Sequence, residues 1–240
     1  MKYPKSEKYC SPELLAKIMG PHPLKLTEEL LQDHLIPSGA RVLDLGSGTG
    51  LTSLFLAREY EFGQVYAADL WSDPQENQRF FDQLGVSRQR LLPVKADATA
   101  LPFEQDFFDA VVSVDSYNYF GRDPAYLDER LLPYVKRGGY IYICIPGMVQ
   151  DCHQDLPPEL LLSWTPEQLD YMHDLSWWRR LLSHSQGAEL VSLRQMESRD
   201  EVWQDWLACD NEYAVGDRKS MEAGAGQYLN FIAMVLRRRG

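Results

Sequence analysis

Three glycines at alternate positions, Gly46, Gly48 and Gly50, follow directly after a short apolar segment. Glycine allows a tight turn and lets backbone N–H groups come close to a ligand, so this spacing predicts a binding loop between a strand and a helix. A dinucleotide-binding loop reads Gly-x-Gly-x-x-Gly, in which the second glycine faces pyrophosphate and the third packs helix against strand. Leu51 stands where that third glycine is required. The loop therefore favours a cofactor without pyrophosphate.

An acidic residue, Asp44, precedes this loop by two positions. S-adenosylmethionine carries an ammonium group and no phosphate, and a carboxylate at the end of a strand can organise that ammonium, directly or through water. We predict that Asp44, Gly46, Ser47 and Gly48 bind this cofactor. An ordinary strand-to-helix turn explains the segment less well, because such a turn has no need of the acid beside the glycines.

Short apolar segments alternate with helical segments along the chain. The predicted strands cover residues 41–45, 64–69, 91–96, 108–114, 140–145, 189–194 and 228–236. The fourth is nearly continuous in apolar residues, as expected of a strand covered on both faces. Alternation of this kind predicts right-handed βαβ units. The predicted fold class is α/β, with a doubly wound, mostly parallel seven-stranded sheet, N-terminal helices and a lid insertion.

The chain is predicted to form one domain over residues 1–240. Residues 1–37 would form an N-terminal helical segment, 38–145 the cofactor-binding core, and 146–240 the acceptor-side half. Doubly wound sheets bind ligands beyond the carboxyl ends of their strands, so the site is expected at that edge of the core.

Two further helices and a lid are predicted, the first helix between the fourth and fifth strands and the second in the less regular second half of the chain. Asp123-Pro124 predicts a helix through Leu131, and Thr165 with Gln168 predicts a capped helix that continues to Gly187. The irregular segments 146–163 and 196–227 are predicted to close over the acceptor as a lid.

The segment Val42–Gly50 resembles the first motif of the class I S-adenosylmethionine-dependent methyltransferases. Asp69 closes the second predicted strand, where this family places the acid that binds both ribose hydroxyls. A carboxylate suits that role because it can accept hydrogen bonds from both hydroxyls of a cis-diol. The resemblance implies cofactor contacts for Asp69, Leu70 and Trp71. Trp71 would stack on adenine, although burial in the core would explain a tryptophan there as well.

Further matches follow in order along the chain. Asp97-Ala98 resembles the segment that recognises the adenine amino group in this family, and Phe108–Tyr119 resembles the motif whose exit lies beside the reactive methyl. Val135–Gly139 resembles the family's leucine-lysine-proline-glycine-glycine turn, with arginine in place of proline. With Met19-Gly20-Pro21 before the first strand, the layout is similar to the UbiE-like and cyclopropane-synthase-like groups. The resemblance therefore implies cofactor contacts also for Gly20, Asp97, Ala98 and Asp115.

Asp115, Tyr117 and His153 are the candidate catalytic residues. Asp115 would orient the acceptor or the cofactor, while Tyr117 and Tyr119 would line a slot around the sulfonium, since aromatic faces attract positive charge. A helix cap and two packed tyrosines would account for the same residues equally well. His153 would act as a general base because imidazole titrates near neutral pH, although a loop histidine is more often a surface residue.

The composition limits the partners and the location. A formal net charge of −11 disfavours nucleic acid, because binding phosphates needs a basic face. No apolar run approaches the ~20 residues that cross a bilayer, and the polar N-terminus has no signal-peptide pattern, so we expect a cytoplasmic protein without a membrane span. The four cysteines form no Cys-x-x-Cys pair, and no metal is predicted. The oligomeric state stays open.

The predicted reaction is an in-line displacement that moves the methyl group of S-adenosylmethionine to a small-molecule acceptor and leaves S-adenosylhomocysteine. The cofactor is already activated, so the protein mainly supplies alignment and excludes water. The aromatic and acidic content of the irregular segments favours a cationic or amphipathic acceptor. Two alternatives stay open: an NAD(P)-dependent oxidoreductase of the Rossmann type, disfavoured by Leu51 and by the lack of a Tyr-x-x-x-Lys pair, and a non-catalytic cofactor-binding module.

Overall fold

Seven strands form one sheet in the computed structural model, which describes residues 2–240. The strands are β1 (Arg41–Leu45), β2 (Gln64–Asp69), β3 (Leu91–Lys95), β4 (Phe108–Val114), β5 (Val135–Met148), β6 (Ala188–Gln195) and β7 (Leu229–Arg238). Their order across the sheet is β3-β2-β1-β4-β5-β7-β6. The first five strands pair in parallel, whereas β7 runs antiparallel to β5 and β6. The predicted fold class is confirmed.

Helices cover both faces of this sheet. The α-helices are α1 (Pro12–Leu15), α2 (Pro23–Leu30), α3 (Leu51–Glu59), α4 (Pro74–Gln83), α5 (Tyr117–Phe120), α6 (Pro166–Leu169), α7 (Leu175–Leu182), α8 (Arg199–Leu207) and α9 (Glu212–Glu222). Successive side chains of a strand enter different apolar clusters: Val42 packs in the cluster of Phe55, and Leu43 in that of Trp178. Because both faces are covered, strands such as β4 are apolar at nearly every position.

The structure has no α-helix in the segment from Asp123 to Leu131, where one was predicted. The Asp123 Oδ1 accepts a hydrogen bond from the Ala125 backbone N at 2.9 Å, which closes a turn. Regular structure follows only as a π-helical turn, Leu127–Leu131, that leads into β5. The prediction of an α-helix here was wrong because an Asx turn and a helix N-cap begin with the same residue types.

The long helix predicted from Thr165 onward consists of two helices, α6 and α7. Thr165 and Gln168 do form the expected capping box. However, the helix ends at Leu169, and the Asp174 Oδ1 begins α7 by accepting a hydrogen bond from the Trp177 backbone N at 2.8 Å. A second cap within the segment therefore divides it.

The N-terminal segment is fastened to the second half of the chain through Glu29 on α2. This buried carboxylate pairs with Arg194 at 2.5 Å and accepts hydrogen bonds from the backbone N–H of Glu197 at 2.9 Å and Ser198 at 2.8 Å. These contacts hold α2 beside the point where the strand order reverses, between β1 and β4. Within residues 2–240, no helix combines the length and the apolar character that crossing a bilayer requires.

Candidate functional site

A cavity of about 620 Å³, here called the strand-end cavity, opens at the carboxyl ends of β1, β2, β3 and β4. This is where doubly wound sheets bind ligands. Ten of the eleven residues predicted to contact the cofactor line it: Gly20, Gly46, Ser47, Gly48, Asp69, Leu70, Trp71, Asp97, Ala98 and Asp115. The fold thus brings together residues that span nearly a hundred positions of sequence, although their contacts with a cofactor stay a prediction.

The glycine loop wraps tightly between β1 and α3. Gly46 and Gly48 adopt φ values of 81° and 51°, a region that disfavours side chains. The backbone N–H groups of Gly46 and Ser47 donate to the Ala68 carbonyl oxygen at 2.9 and 3.1 Å, which fixes the loop on the end of β2. The Ser47 Oγ is buried, lines the cavity and has no hydrogen-bond partner within the described residues. An unsatisfied hydroxyl of this kind suits a polar ligand.

Asp69 links that loop to the exit of β2. Its Oδ1 accepts hydrogen bonds from the backbone N–H of Trp71 at 2.8 Å and Ser72 at 2.7 Å, and its Oδ2 accepts one from Gly48 at 3.0 Å. A carboxylate offers about four lone-pair positions, and three donors occupy them here. One position is left free. A ribose diol that donates two hydrogen bonds would therefore also have to use a position that a backbone N–H already occupies.

Asp97 lines the part of the cavity that follows β3. Its Oδ1 accepts hydrogen bonds from the Thr99 Oγ1 at 2.7 Å and the Thr99 backbone N at 2.8 Å. These bonds lower the pKa of the Asp97 carboxyl, so it is ionised at neutral pH and can accept a hydrogen bond from an amino group. Trp71 lines the same end with 87% of its surface exposed. It is not a core residue, which was the alternative to stacking on a ligand.

Asp44 lies beneath the loop and does not line the cavity. The side chain is 1% exposed and accepts a hydrogen bond from the Ser53 Oγ at 2.5 Å. Burial raises the pKa of the Asp44 carboxyl to about 7, with a further contribution from the nearby Asp69 carboxylate and an opposing one from Ser53. This buried position favours an indirect contact between Asp44 and the ammonium group of the cofactor, through water, over a direct one.

The prediction that Tyr117 lines the reaction slot was wrong. Its ring is fully buried against Tyr126 and Trp178, with centroids 5.7 and 6.1 Å away, and does not reach the cavity. Its hydroxyl has no partner among residues 2–240. Tyr119, by contrast, lines the cavity and is 64% exposed. Tyr117 is therefore a packing residue.

Tyr117→Phe is expected to leave cofactor affinity unchanged and to raise the free energy of unfolding by about 1 kcal/mol, because a buried unpaired hydroxyl is removed. Tyr126→Phe is the matched control: it loses the bond from the Tyr126 hydroxyl to the Ala98 carbonyl at 3.0 Å and should cost about 1 kcal/mol. Urea denaturation of both variants measures the difference. A large loss of cofactor affinity in Tyr117→Phe would contradict this assignment.

The prediction of His153 as a general base is also contradicted for this cavity. The Nδ1 lies 2.6 Å from the Asp151 Oδ1 and the Nε2 lies 3.0 Å from the Leu169 carbonyl oxygen, so both ring nitrogens are engaged. The residue does not line the cavity. The ring of His153 instead links the segment around Asp151 to the end of α6.

The predicted lid segments do not line the strand-end cavity either. Its outer side is formed by Lys17, Met19, Gly20 and Pro23, called here the N-terminal wall. The Lys17 carbonyl oxygen accepts a hydrogen bond from the Thr49 hydroxyl at 2.8 Å, which attaches this wall to the glycine loop. Met19 and Gly20 belong to the Met19-Gly20-Pro21 segment that entered the resemblance, whereas no sequence pattern indicated Lys17 or Pro23.

Comparison with known proteins agrees with this architecture. Residues 43–143 match a family model described as a methyltransferase domain. Malonyl-[acyl-carrier protein] O-methyltransferase from Geobacter sulfurreducens is 39% identical over 80 residues, 33% of this chain and 29% of that protein. Demethylmenaquinone methyltransferase from Clavibacter sepedonicus is 39% identical over 113 residues, 45% of this chain and 41% of that protein. The matches thus span less than half of either curated relative.

Solved structures show the same fold. Haemonchus contortus phosphoethanolamine N-methyltransferase 2, in complex with S-adenosyl-L-methionine, superposes with a TM-score of 0.73 at 17% identity. The superposition covers 100% of this chain and 60% of that one. Residues 43–143 thus match a methyltransferase-domain model, and with its seven-stranded topology and the cavity at the strand ends the chain has the fold of that solved methyltransferase.

Proposed function

We propose that this chain binds S-adenosylmethionine in the strand-end cavity and transfers its methyl group to a small-molecule acceptor. One observation carries the proposal: three carboxylates and the glycine loop line one cavity in the order β3, β2, β1, β4. Asp97, Asp69 and the glycine loop thus succeed one another as the adenine, the ribose and the amino-acid tail of the cofactor would require, and Asp115 follows at the exit of β4.

The residues present fit such a cofactor. A Cβ added at Gly48 would meet only the Met19 Sδ, at 3.8 Å, so the loop leaves room above its backbone. The buried, unpaired Ser47 hydroxyl lies beside that space and is suited to a polar tail. Asp69 is suited to the ribose and Asp97 with Ala98 to the adenine edge.

When bound, S-adenosylmethionine supplies a methyl group that is already activated for displacement. The chain has to orient the cofactor and keep water from the methyl. The Gly48 N–H donates a hydrogen bond to Asp69. This bond fixes the glycine loop and Asp69, which line neighbouring parts of the strand-end cavity, relative to each other. The N-terminal wall and Phe120 cover the side that faces the exit of β4. Alignment and exclusion of water are the main contributions that such a displacement needs.

The acceptor is proposed to be a small molecule, as the similarity to a demethylmenaquinone methyltransferase suggests. The net charge of −11 supports this over nucleic acid. We further propose a cytoplasmic protein in which residues 1–240 act as one domain, with 38–145 as its cofactor-binding core.

Calorimetric titration with S-adenosylhomocysteine tests the proposal. Wild-type protein is expected to bind it and to show no binding of NADH, which separates a methyltransferase from the oxidoreductase alternative. Asp69→Ala should weaken binding roughly 10- to 100-fold, because hydrogen bonds to a charged group contribute about 1.5–3 kcal/mol. Asp33→Ala, an exposed position outside the cavity, is the matched control. Equal affinities of the two variants, or NADH binding alone, would refute the assignment.

A further inference from the structure

Asp115, at the exit of β4, differs from the other two carboxylates that line the strand-end cavity. Asp69 accepts three backbone hydrogen bonds and Asp97 accepts two from Thr99. The Asp115 carboxylate accepts no hydrogen bond and forms no ion pair with any residue between 2 and 240; only its backbone N–H is engaged, at 2.7 Å from the Cys144 carbonyl oxygen. A carboxylate placed in a cavity without a protein partner is available to a ligand.

The backbone at Asp115 is held in an unusual conformation. Its φ is 56°, and only one other non-glycine residue of the described chain, Asp106, has a positive φ. This conformation costs on the order of 1 kcal/mol and persists where the surroundings impose it, often at functional sites. The N-terminal wall lies close to this side chain: a Cβ added at Gly20 would lie 2.4 Å from the Asp115 Oδ2.

The surroundings of Asp115 are acidic. Burial raises the pKa of the Asp115 carboxyl to about 7, with a further contribution from the charge of Asp217 on α9. Asp217 itself accepts a hydrogen bond from the Trp206 Nε1 at 2.9 Å. The one lysine of the cavity lining, Lys17, holds its Nζ 4.8 Å from the ring centroid of Phe80 on α4. Two carboxylates without a neighbouring cation attract positive charge to this end of the cavity.

An aromatic surface lies next to this carboxylate. Tyr119 lines the cavity and is largely exposed. Its ring stands 5.3 Å from that of Tyr171, whose face already carries the Arg122 guanidinium at 4.1 Å, so the Tyr119 ring is the one available to a ligand. Aromatic faces attract ammonium groups, including methylated ones.

We propose that the methyl acceptor is an amine, which the Asp115 carboxylate anchors beside the ring of Tyr119. This inference rests on the proposed function. An ammonium form of the acceptor would first donate its proton to Asp115, which passes it to solvent. The nitrogen lone pair then forms a bond to the methyl carbon as the carbon–sulfur bond breaks, and that electron pair stays on sulfur in S-adenosylhomocysteine. Hydroxyl and carboxyl acceptors would lack the charge that this end of the cavity favours.

Sinefungin, in which an amine replaces the methylsulfonium group, tests the anchor without knowledge of the acceptor. Wild-type protein is expected to bind sinefungin about 10-fold more tightly than S-adenosylhomocysteine, and Asp115→Asn should abolish this preference while its affinity for S-adenosylhomocysteine stays within about two-fold. Asp33→Asn is the control. An unchanged preference in Asp115→Asn overturns the proposal. A general loss of affinity for S-adenosylhomocysteine also overturns it, because Asp115 would then hold the tail of the cofactor.

Methyl transfer gives the second measurement. Release of S-adenosylhomocysteine is followed with primary and secondary amines, each paired with the alcohol and the carboxylic acid of the same skeleton. Transfer to amines is expected to exceed transfer to their partners, and Asp115→Asn should lower kcat/KM for amines about 100-fold. Preference for alcohols or acids refutes the amine acceptor and leaves the methyltransferase assignment intact. Absence of S-adenosylhomocysteine binding in wild-type protein refutes that assignment itself.

Discussion

Gly46→Ala is expected to reduce the affinity for S-adenosylhomocysteine at least roughly 100-fold. The residue has a φ of 81°, where an L side chain costs about 1–2 kcal/mol. In addition, the new Cβ would lie 1.8 Å from the Ser116 Oγ and 2.4 Å from the Ser116 Cβ. Rotation of the Ser116 side chain removes only the first clash. The backbone of the loop must therefore move, and with it the N–H groups and the Ser47 hydroxyl that face the ligand.

Gly39→Ala separates the effect of the clash from that of the backbone conformation. Gly39 has a φ of 77°, but no heavy atom of the described residues lies within 4 Å of its added Cβ. This control is expected to lose about 1 kcal/mol of unfolding free energy and to keep full affinity. Titration calorimetry and thermal denaturation of both variants give the comparison. If the two bind S-adenosylhomocysteine equally well, the loop does not hold the cofactor.

Most strands of the sheet were predictable because the residues that define a strand lie within it or directly beside it. β1 and β2 begin and end at the residues that alternation of apolar segments and glycines indicates. β5 is different: it extends to Met148, three residues beyond the predicted end, because it remains paired with β7 as far as Leu229. That partner is some eighty residues away in sequence. When the end of a strand depends on pairing with so distant a segment, the sequence around that end carries no pattern that marks it.

The site was predictable where its residues follow strand ends, since parallel strands place their carboxyl ends at one edge. Asp69 and Asp97 lie together for that reason. The side chain that faces the cavity from α5 was not predictable. Residues two apart on a helix face different sides, so Tyr117 and Tyr119 cannot both line one slot. Which of them points inward depends on how α5 packs against Trp178, which the sequence does not reveal.

The second large predicted effect is the change of the free energy of unfolding with pH that Asp44 causes. The carboxyl has a pKa of about 7 in the folded protein, against an ordinary value of 3.8. Between these values the unfolded chain releases the proton and the folded protein retains it, so ionisation favours unfolding as the pH rises. The free energy of unfolding is expected to fall by up to about 4 kcal/mol from pH 4 to pH 7 through this one group, and to show no further loss from it above its folded pKa.

Asp44→Asn should remove this pH dependence, because the amide stays neutral and its oxygen can still accept the hydrogen bond from Ser53. Asp33→Asn, at an exposed position, should leave the slope unchanged. Denaturant unfolding of the three proteins at several pH values gives the slope of the free energy of unfolding against pH. Asp115 titrates in the same range. Because it contributes equally to wild type and to Asp44→Asn, its contribution cancels in the difference between the two. The carbon resonance of the Asp44 carboxyl should have its titration midpoint near pH 7. A midpoint below pH 5 would mean that the loop leaves Asp44 hydrated, and would contradict the burial on which the expected pH dependence rests.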